Sequence, residues 1–389
     1  MIFTLEALQA DQGDCLLLHY GQPGGARVIL IDGGPGGIYN RSLKPRLEEL
    51  RGRQSQIALE MVIVSHIDDD HIHGIVDLVK QLKTVQEKGQ TPLPYRIRTL
   101  WHNSFDKLIG RSNPAALNEV SGASAAALDA VVPAGIERES KGGAVIASVN
   151  QGNDLRNYAR ALTIPLNRGV KEPLVMAPKT GRREVDLGAG LKFTILGPHE
   201  AEMNKLQEEW RKAKVSGKAE SQAFAADYLN RTAENLSSIV VLAEFQADGK
   251  PLKRMLLTGD SGGDLVLKGL ETAGLLEDGK IHVDLLKLQH HGSSHSVDQS
   301  FFERVTADCY LISGNGKHGN PHPDTLQWLS AARSREEYRA YLTNREGHEG
   351  LTANLDAFLE SEKENEPGHR YFFRPEGARS IGVDLLEAA

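Results

Sequence analysis

Eight consecutive residues in the first quarter of the chain, His66-Ile-Asp68-Asp69-Asp70-His71-Ile-His73, carry three histidines and three aspartates. Neutral imidazole and carboxylate are the donors that hold a divalent cation. Anionic groups crowded this closely repel one another unless positive charge sits among them. The chemistry to expect is therefore metal binding, not a solvated acidic turn with incidental histidines. A second cluster, His290-His291-Gly292-Ser293-Ser294-His295, stands far downstream and is followed by His318 and His322. Eight of the fourteen histidines fall within residues 66–73 and 290–322. Those windows are about a tenth of the chain, where chance would place about one or two.

Each cluster ends a run of apolar residues. Val62-Ile-Val reads as a short buried strand before Ser65 and His66. Met255-Leu-Leu-Thr-Gly259-Asp260 is a second strand running into an acid, and Val283-Asp-Leu-Leu-Lys-Leu-Gln289 leads into His290. Residues 2–8 and 15–20 read as paired strands about the turn Asp11-Gln-Gly13-Asp14. Residues 28–31 form another strand, ending in Asp32-Gly33-Gly34. Strands are also expected near 97–104, over 191–196, and after Glu234-Asn235-Leu-Ser237-Ser238. Ile75, Leu78, Val79 and Leu82 recur at helical spacing, so residues 74–82 read as an amphipathic helix beside the first cluster. Further helices are expected over 43–50, over 200–225 as a charged surface stretch, after Pro323-Asp324, and over 352–363. Alternating apolar residues near 371–373 and 380–385 predict two closing strands. Residues 112–165 mix Ala-rich helical patches with Gly/Ser-rich turns and carry no recognisable motif.

His66-x-Asp68-x-Asp70-His71 after a hydrophobic strand and a serine resembles the metal motif of the metallo-β-lactamase superfamily, commonly His-x-His-x-Asp-His. Aspartate at the second ligand position, the opening hairpin with Leu-Ile-Asp32-Gly-Gly, and His290-His291-Gly292-Ser293 resemble its ComEC-type branch. That branch is named for the hydrolase domain of a bacterial DNA-uptake channel. The resemblance implies an α/β fold, the αββα sandwich, with two mixed sheets face to face and helices outside. It implies one domain over 1–389, with a family-specific insertion at about 105–190 that covers the site and packing elements from about 324. It also implies two divalent metal ions, Zn or Mn. His66 and Asp68 would hold the first, Asp70, His71 and His290 the second, and Asp260 would bridge them. Asp32 would orient ligands. Asn235 stands where many members carry a histidine. Asn235, Ser293 and His318 would contact ligands or substrate, and His291 and His322 would join Asp70 and Asp260 in the chemistry. Asn320 replaces the first histidine of the branch's usual Gly-His-Pro-His-Pro, and His73 replaces a usual glycine.

The implied activity is hydrolysis by a two-metal-activated hydroxide. Replacing imidazole by Asp68 and Asn235 hardens the first site, which suits phosphodiesters. The leading expectation is a phosphodiesterase, either a nuclease or a hydrolase of smaller nucleotides. One alternative is hydrolysis of a small ester, lactone or lactam, with zinc. Another is a non-catalytic metal-binding sensor. Composition narrows these: the net charge is -7 with no long basic run, which argues against a broad face for nucleic acid and leaves a local groove. Two cysteines, Cys15 and Cys309, give no disulfide framework and fit a reducing compartment. The N-terminus lacks a basic region and an apolar core, and no stretch approaches the roughly 18 apolar residues that span a bilayer. A cytoplasmic protein without a membrane partner is expected, and the oligomeric state is open.

Overall fold

The computed structural model describes residues 1–103, 141–170, 174–204, 237–247, 249–334, 336–348, 350–365 and 368–386. Strands alternate their side chains between two faces, and the buried residues sort accordingly. In β1 (Ile2–Leu8), Phe3, Leu5 and Ala7 share one face; in β2 (Leu16–Gly21), Leu16, Leu18 and Tyr20 do; in β3 (Arg27–Ile31), Ile29 and Ile31 do. They meet Phe193 and Ile195 of β9 (Leu191–Gly197), Val241 and Phe245 of β10 (Val240–Phe245), Met255 and Leu257 of β11 (Lys253–Leu257), and Leu285 of β12 (Ile281–Lys287). The central core is thus a sheet-on-sheet layer. Phe3 stacks on Phe245 across it with ring centroids 4.9 Å apart. Removing one such ring would cost about 3–5 kcal/mol.

With β5 (Met61–Ile63), β7 (Leu100–Trp101) and β16 (Ser380–Asp384), the first sheet runs β16-β1-β2-β3-β5-β7. Its hairpins are antiparallel, and β3, β5 and β7 are parallel. The second sheet takes in β8 (Glu184–Gly188), β13 (Val305–Ile312), β14 (Tyr338–Leu342) and β15 (His369–Phe373), in the order β15-β14-β13-β12-β11-β10-β9-β8. From β11 to β15 all neighbours are parallel. A small parallel pair joins β4 (Ile57–Leu59) and β6 (Tyr95–Ile97).

Helices cover both outer faces. α1 (Lys44–Arg51), α2 (Asp69–Glu87) and α3 (Lys141–Ala161) lie on the first sheet, where Leu47, Leu78, Leu82, Leu155 and Ala159 join Leu17 and Leu30. α4 (Gly263–Thr272), α5 (Gln299–Arg304), α6 (Pro323–Ala332) and α7 (Leu351–Asn365) lie on the second, through residues such as Val266, Phe302, Leu329 and Leu355. The architecture is the αββα sandwich.

Two expectations are revised. The helix read over 74–82 begins at Asp69 and runs to Glu87, because acids in a first turn complement the helix dipole. Residues 105–190, expected as an insertion over the site, supply in their described part α3, packed on α2, and the edge strand β8. The 200–225 helix falls mostly outside the described residues. No helix among those described is long and apolar enough to cross a membrane.

Candidate metal centre

The chemistry-bearing residues lie at one edge of the sandwich, where parallel strands end. Asp32 follows β3, His66 follows β5, Asp260 follows β11, His290 and His291 follow β12, and Ser313 follows β13. Strand C-termini of open α/β sheets form such crevices. Backbone bonds fix the edge: Ile239 N donates to Ser65 O at 2.9 Å, joining the two sheets, and Gly33 N donates to His71 O at 2.7 Å. A Cβ on Gly74 would stand 2.0 Å from Gly33 O, so α2 can approach the end of β3 only where side chains are missing.

Among the described residues, three groups of side chains converge tightly enough to hold an ion: His66, His71 and Asp260; Asp70, His71 and His291; and Asp14, Asp32 and His71. His71 Nε2 is 3.3 Å from Asp260 Oδ1 and 3.2 Å from His291 Nε2. His66 Nε2 is 3.6 Å from Asp68 Oδ2 and 3.8 Å from Asp260 Oδ2. His291 Nε2 is 3.6 Å from Asp70 Oδ2.

The surrounding groups decide which ring atoms face inward. His71 Nδ1 lies 2.9 Å from Asp32 Oδ2 and donates to it, leaving the Nε2 lone pair toward the cage. Asp32 also accepts from Ser65 N and Ser65 Oγ, each at 2.7 Å. His291 Nδ1 lies 3.4 Å from Ser313 Oγ and 3.6 Å from Asp14 Oδ1. Asp14 in turn accepts from Ser313 and pairs with the fully buried Lys287, whose Nζ is 2.9 Å from Asp14 Oδ2. Two inward imidazole nitrogens repel unless something positive lies between them. Two nitrogens about 2.0–2.1 Å from one tetrahedral zinc would stand about 3.3 Å apart. The observed 3.2 Å fits that arrangement. In addition, His66 Nε2 and Asp260 Oδ1 are buried without a hydrogen-bond partner, which is costly unless they ligate. The residues present fit a divalent cation.

Burial and mutual charge set the protonation of these groups. Burial pushes the Asp70 carboxyl up to about 7, against the pull of His71 and with help from Asp260 and Asp68. Burial opposes a charged His71, yet Asp260, Asp32 and Asp70 outweigh it and raise its pKa well above the usual range. Burial holds His291 down to about 3 against Asp260 and Asp14, with Lys287 assisting, so its ring is neutral as a ligand must be. Burial alone would raise Asp260, but His71, His290, His291 and His66 keep it well below the usual carboxylate range.

Of the histidine pair, the sequence reading favoured His290 as ligand. The structure instead brings His291 to His71 and Asp70. The backbone turns left-handed at His290 (φ 47°) and His291 (φ 57°), so the strand's last direction does not predict the ring's. His290 Nδ1 faces Ser296 Oγ at 3.0 Å, and its Nε2 stays 3.7 Å from Asp260 Oδ2. His322, expected in the chemistry, caps α6, its Nδ1 accepting from Asp324 N at 3.2 Å. Ser293 Oγ accepts from His295 N at 3.3 Å and closes the turn. His318 lies on the neighbouring loop, its pKa lowered by partial desolvation and by the charges of Lys317, His290 and His348. Asn235 lies outside the described residues. His73 binds Asp69 (Nδ1–Oδ1 2.8 Å), which also accepts from Gln151 Nε2 at 2.6 Å, tying α3 to the first turn of α2. Lys287 is absent from the sequence-based site, although a lysine in the apolar run Val283–Leu288 is a visible signal.

Comparison with known families bears on the first of these regions. Residues 8–147 match the model of the metallo-beta-lactamase superfamily. The matched span holds Asp14, Asp32 and the whole 66–73 motif; Asp260 and His291 lie beyond it. Proteins of that superfamily typically bind divalent metals, often zinc, and are generally hydrolytic enzymes. No curated protein matches the chain.

Proposed function

We propose that the chain is a metal-dependent phosphodiesterase of the ComEC-type branch, acting on a nucleic acid or a smaller nucleotide. His66 and Asp68 would hold one divalent cation and Asp70, His71 and His291 a second, with Asp260 within reach of both sets. The observation that carries this reading is the donor set at the edge of the sandwich: Asp68, Asp70 and Asp260 gathered with His66, His71 and His291, with His66 Nε2 and Asp260 Oδ1 buried without a hydrogen-bond partner. Carboxylate-rich sites favour hard cations such as Mn²⁺, and hard cations favour phosphate oxygens. Two such cations would bring the pKa of a water toward neutrality and offset charge building on the phosphoryl oxygens.

The chain's own residues do the remaining work. Asp32 keeps the His71 proton on Nδ1, and Asp14 with Ser313 does the same for His291. Lys287 keeps Asp14 ionised so that it can accept. His290 stands beside Asp260, its Nε2 3.7 Å from Asp260 Oδ2, where it can contact a bound substrate.

The test is hydrolysis of bis-p-nitrophenyl phosphate, of single- and double-stranded DNA, and of nitrocefin, each with Mn²⁺ or Zn²⁺. Phosphodiester cleavage is expected, falling at least about 10²–10³-fold in Asp70→Ala and Asp260→Ala. Turnover of nitrocefin alone would replace this reading with lactam or ester hydrolysis. Tight metal binding without any turnover would make the protein a sensor.

A further inference from the structure

A cavity of about 380 Å³ opens on the outer side of the first sheet, between β6, the C-terminal half of α2 and the segment after α3. Its floor includes Leu82, Leu162 and Ile164, and its walls carry Arg96, Arg98 and Arg168. It lies at the small end of the roughly 300–1,000 Å³ typical of small-molecule sites. None of the candidate ligands lines it. Leu82 is eleven residues along α2 from His71, a rise of about 16 Å at 1.5 Å per residue. The cavity is therefore separate from the metal centre.

Charge distinguishes this cavity from ordinary surface. The chain carries a net charge of -7, yet no aspartate or glutamate is among the lining residues. Arg96 and Arg98 are two apart in an extended segment and so point to the same side, while Tyr95 and Ile97 are buried. Glu60 holds Arg98, its Oε1 3.0 Å from Arg98 Nε. Arg96 and Arg168 are exposed, and neither has an ion-pair partner among the described residues. Like charges brought to one cleft without counter-charges repel, and a planar guanidinium fork is matched by a carboxylate or phosphate.

We propose that this cleft binds a small organic anion. Its carboxylate or phosphate head would be gripped by Arg96 and Arg168, and its apolar body would rest on Leu82, Leu162 and Ile164. The proposal is independent of the reaction at the metal centre, because the two sites share no residue.

Calorimetric titration of the full chain with octanoate and with octyl phosphate, in EDTA so that no divalent cation captures the head, tests it. Saturable one-to-one binding with Kd below about 1 mM is expected, and the tighter of the two heads tells carboxylate from phosphate. Acetate, inorganic phosphate and octanol should each bind at least about tenfold more weakly, since each lacks one half of the recognition. The R96Q/R168Q double variant should weaken binding at least about tenfold while melting like the parent, because both side chains are exposed. Thr163→Trp, which fills the cleft without removing an arginine, should weaken both octyl ligands alike. The absence of saturation below about 1 mM, or unchanged affinity in R96Q/R168Q, overturns the proposal.

Discussion

His71 and His291 meet with their Nε2 atoms 3.2 Å apart, yet they reach that point by opposite local routes. His71 stands in the first turn of a nineteen-residue helix, and its support, Asp32, comes from the next strand of the same sheet. His291 stands in a left-handed run with His290 and Gly292 (φ 83°), where each non-glycine residue costs about 1–3 kcal/mol. Its support, Asp14, crosses from the first sheet and is balanced by Lys287 of the second. One ligand is thus presented by regular local structure, and the other only by the docking of two sheets. Strain is tolerated where the surrounding fold over-determines the position, and the Asp14–Lys287 pair is that surrounding fold.

The largest effect should fall on the rings themselves. His291→Ala should lower metal affinity by more than the roughly 100-fold ceiling of outer partners, whereas His290→Ala should cost less than about tenfold. Metal titration of both variants decides this, and the reverse order would return the ligand role to His290.

Next come the supports. Asp14→Asn leaves the Lys287 charge buried without its partner and should destabilise the protein by about 3–5 kcal/mol, read as a fall in Tm. Asp32→Asn strands no cation; it should cost about 10–100-fold in metal affinity with a much smaller fall in Tm. Equal losses of Tm would mean that both ligands depend equally on sheet docking.

The smallest effect is a control within the first sheet. Burial alone would raise the Glu6 carboxyl, but hydrogen bonds from His19, Arg46 and Ser380 outweigh it and hold it down to about 2 from an ordinary 4.5. This depressed acid stabilises the fold fully above about pH 4.5, and the contribution disappears as pH falls through about 2. It is worth at most about 3 kcal/mol. Acid unfolding followed by circular dichroism should show that slope reduced in Glu6→Gln. A single shifted transition means that the sheets melt together, while two transitions mean that His291's sheet persists without His71's.

The same contrast explains what the sequence discloses. Alternation in β1 to β3, the helical period within α2 and the crowding of His66 to His71 are local patterns, visible without any partner far along the chain. Asp32 at the mouth of a glycine turn is equally legible. The choice between His290 and His291 is not, because two positive φ values rotate the strand's alternation away. Nor is Asp14, whose partners Lys287 and Ser313 lie more than 270 residues away in sequence. Residues 105–190 lack strong periodicity, so the contribution of α3 and β8 to the two sheets emerges only from their contacts.

The outermost strand of the first sheet, β16, pairs antiparallel with β1, setting Thr4 opposite Asp384 and Leu8 opposite Ser380. During synthesis the edge of β1 must therefore wait, unpaired, while nearly all the intervening chain is made. An open β edge recruits other strands, so emerging polypeptides in a crowded polysome run a risk of mispairing that ends only when residues 380–384 arrive.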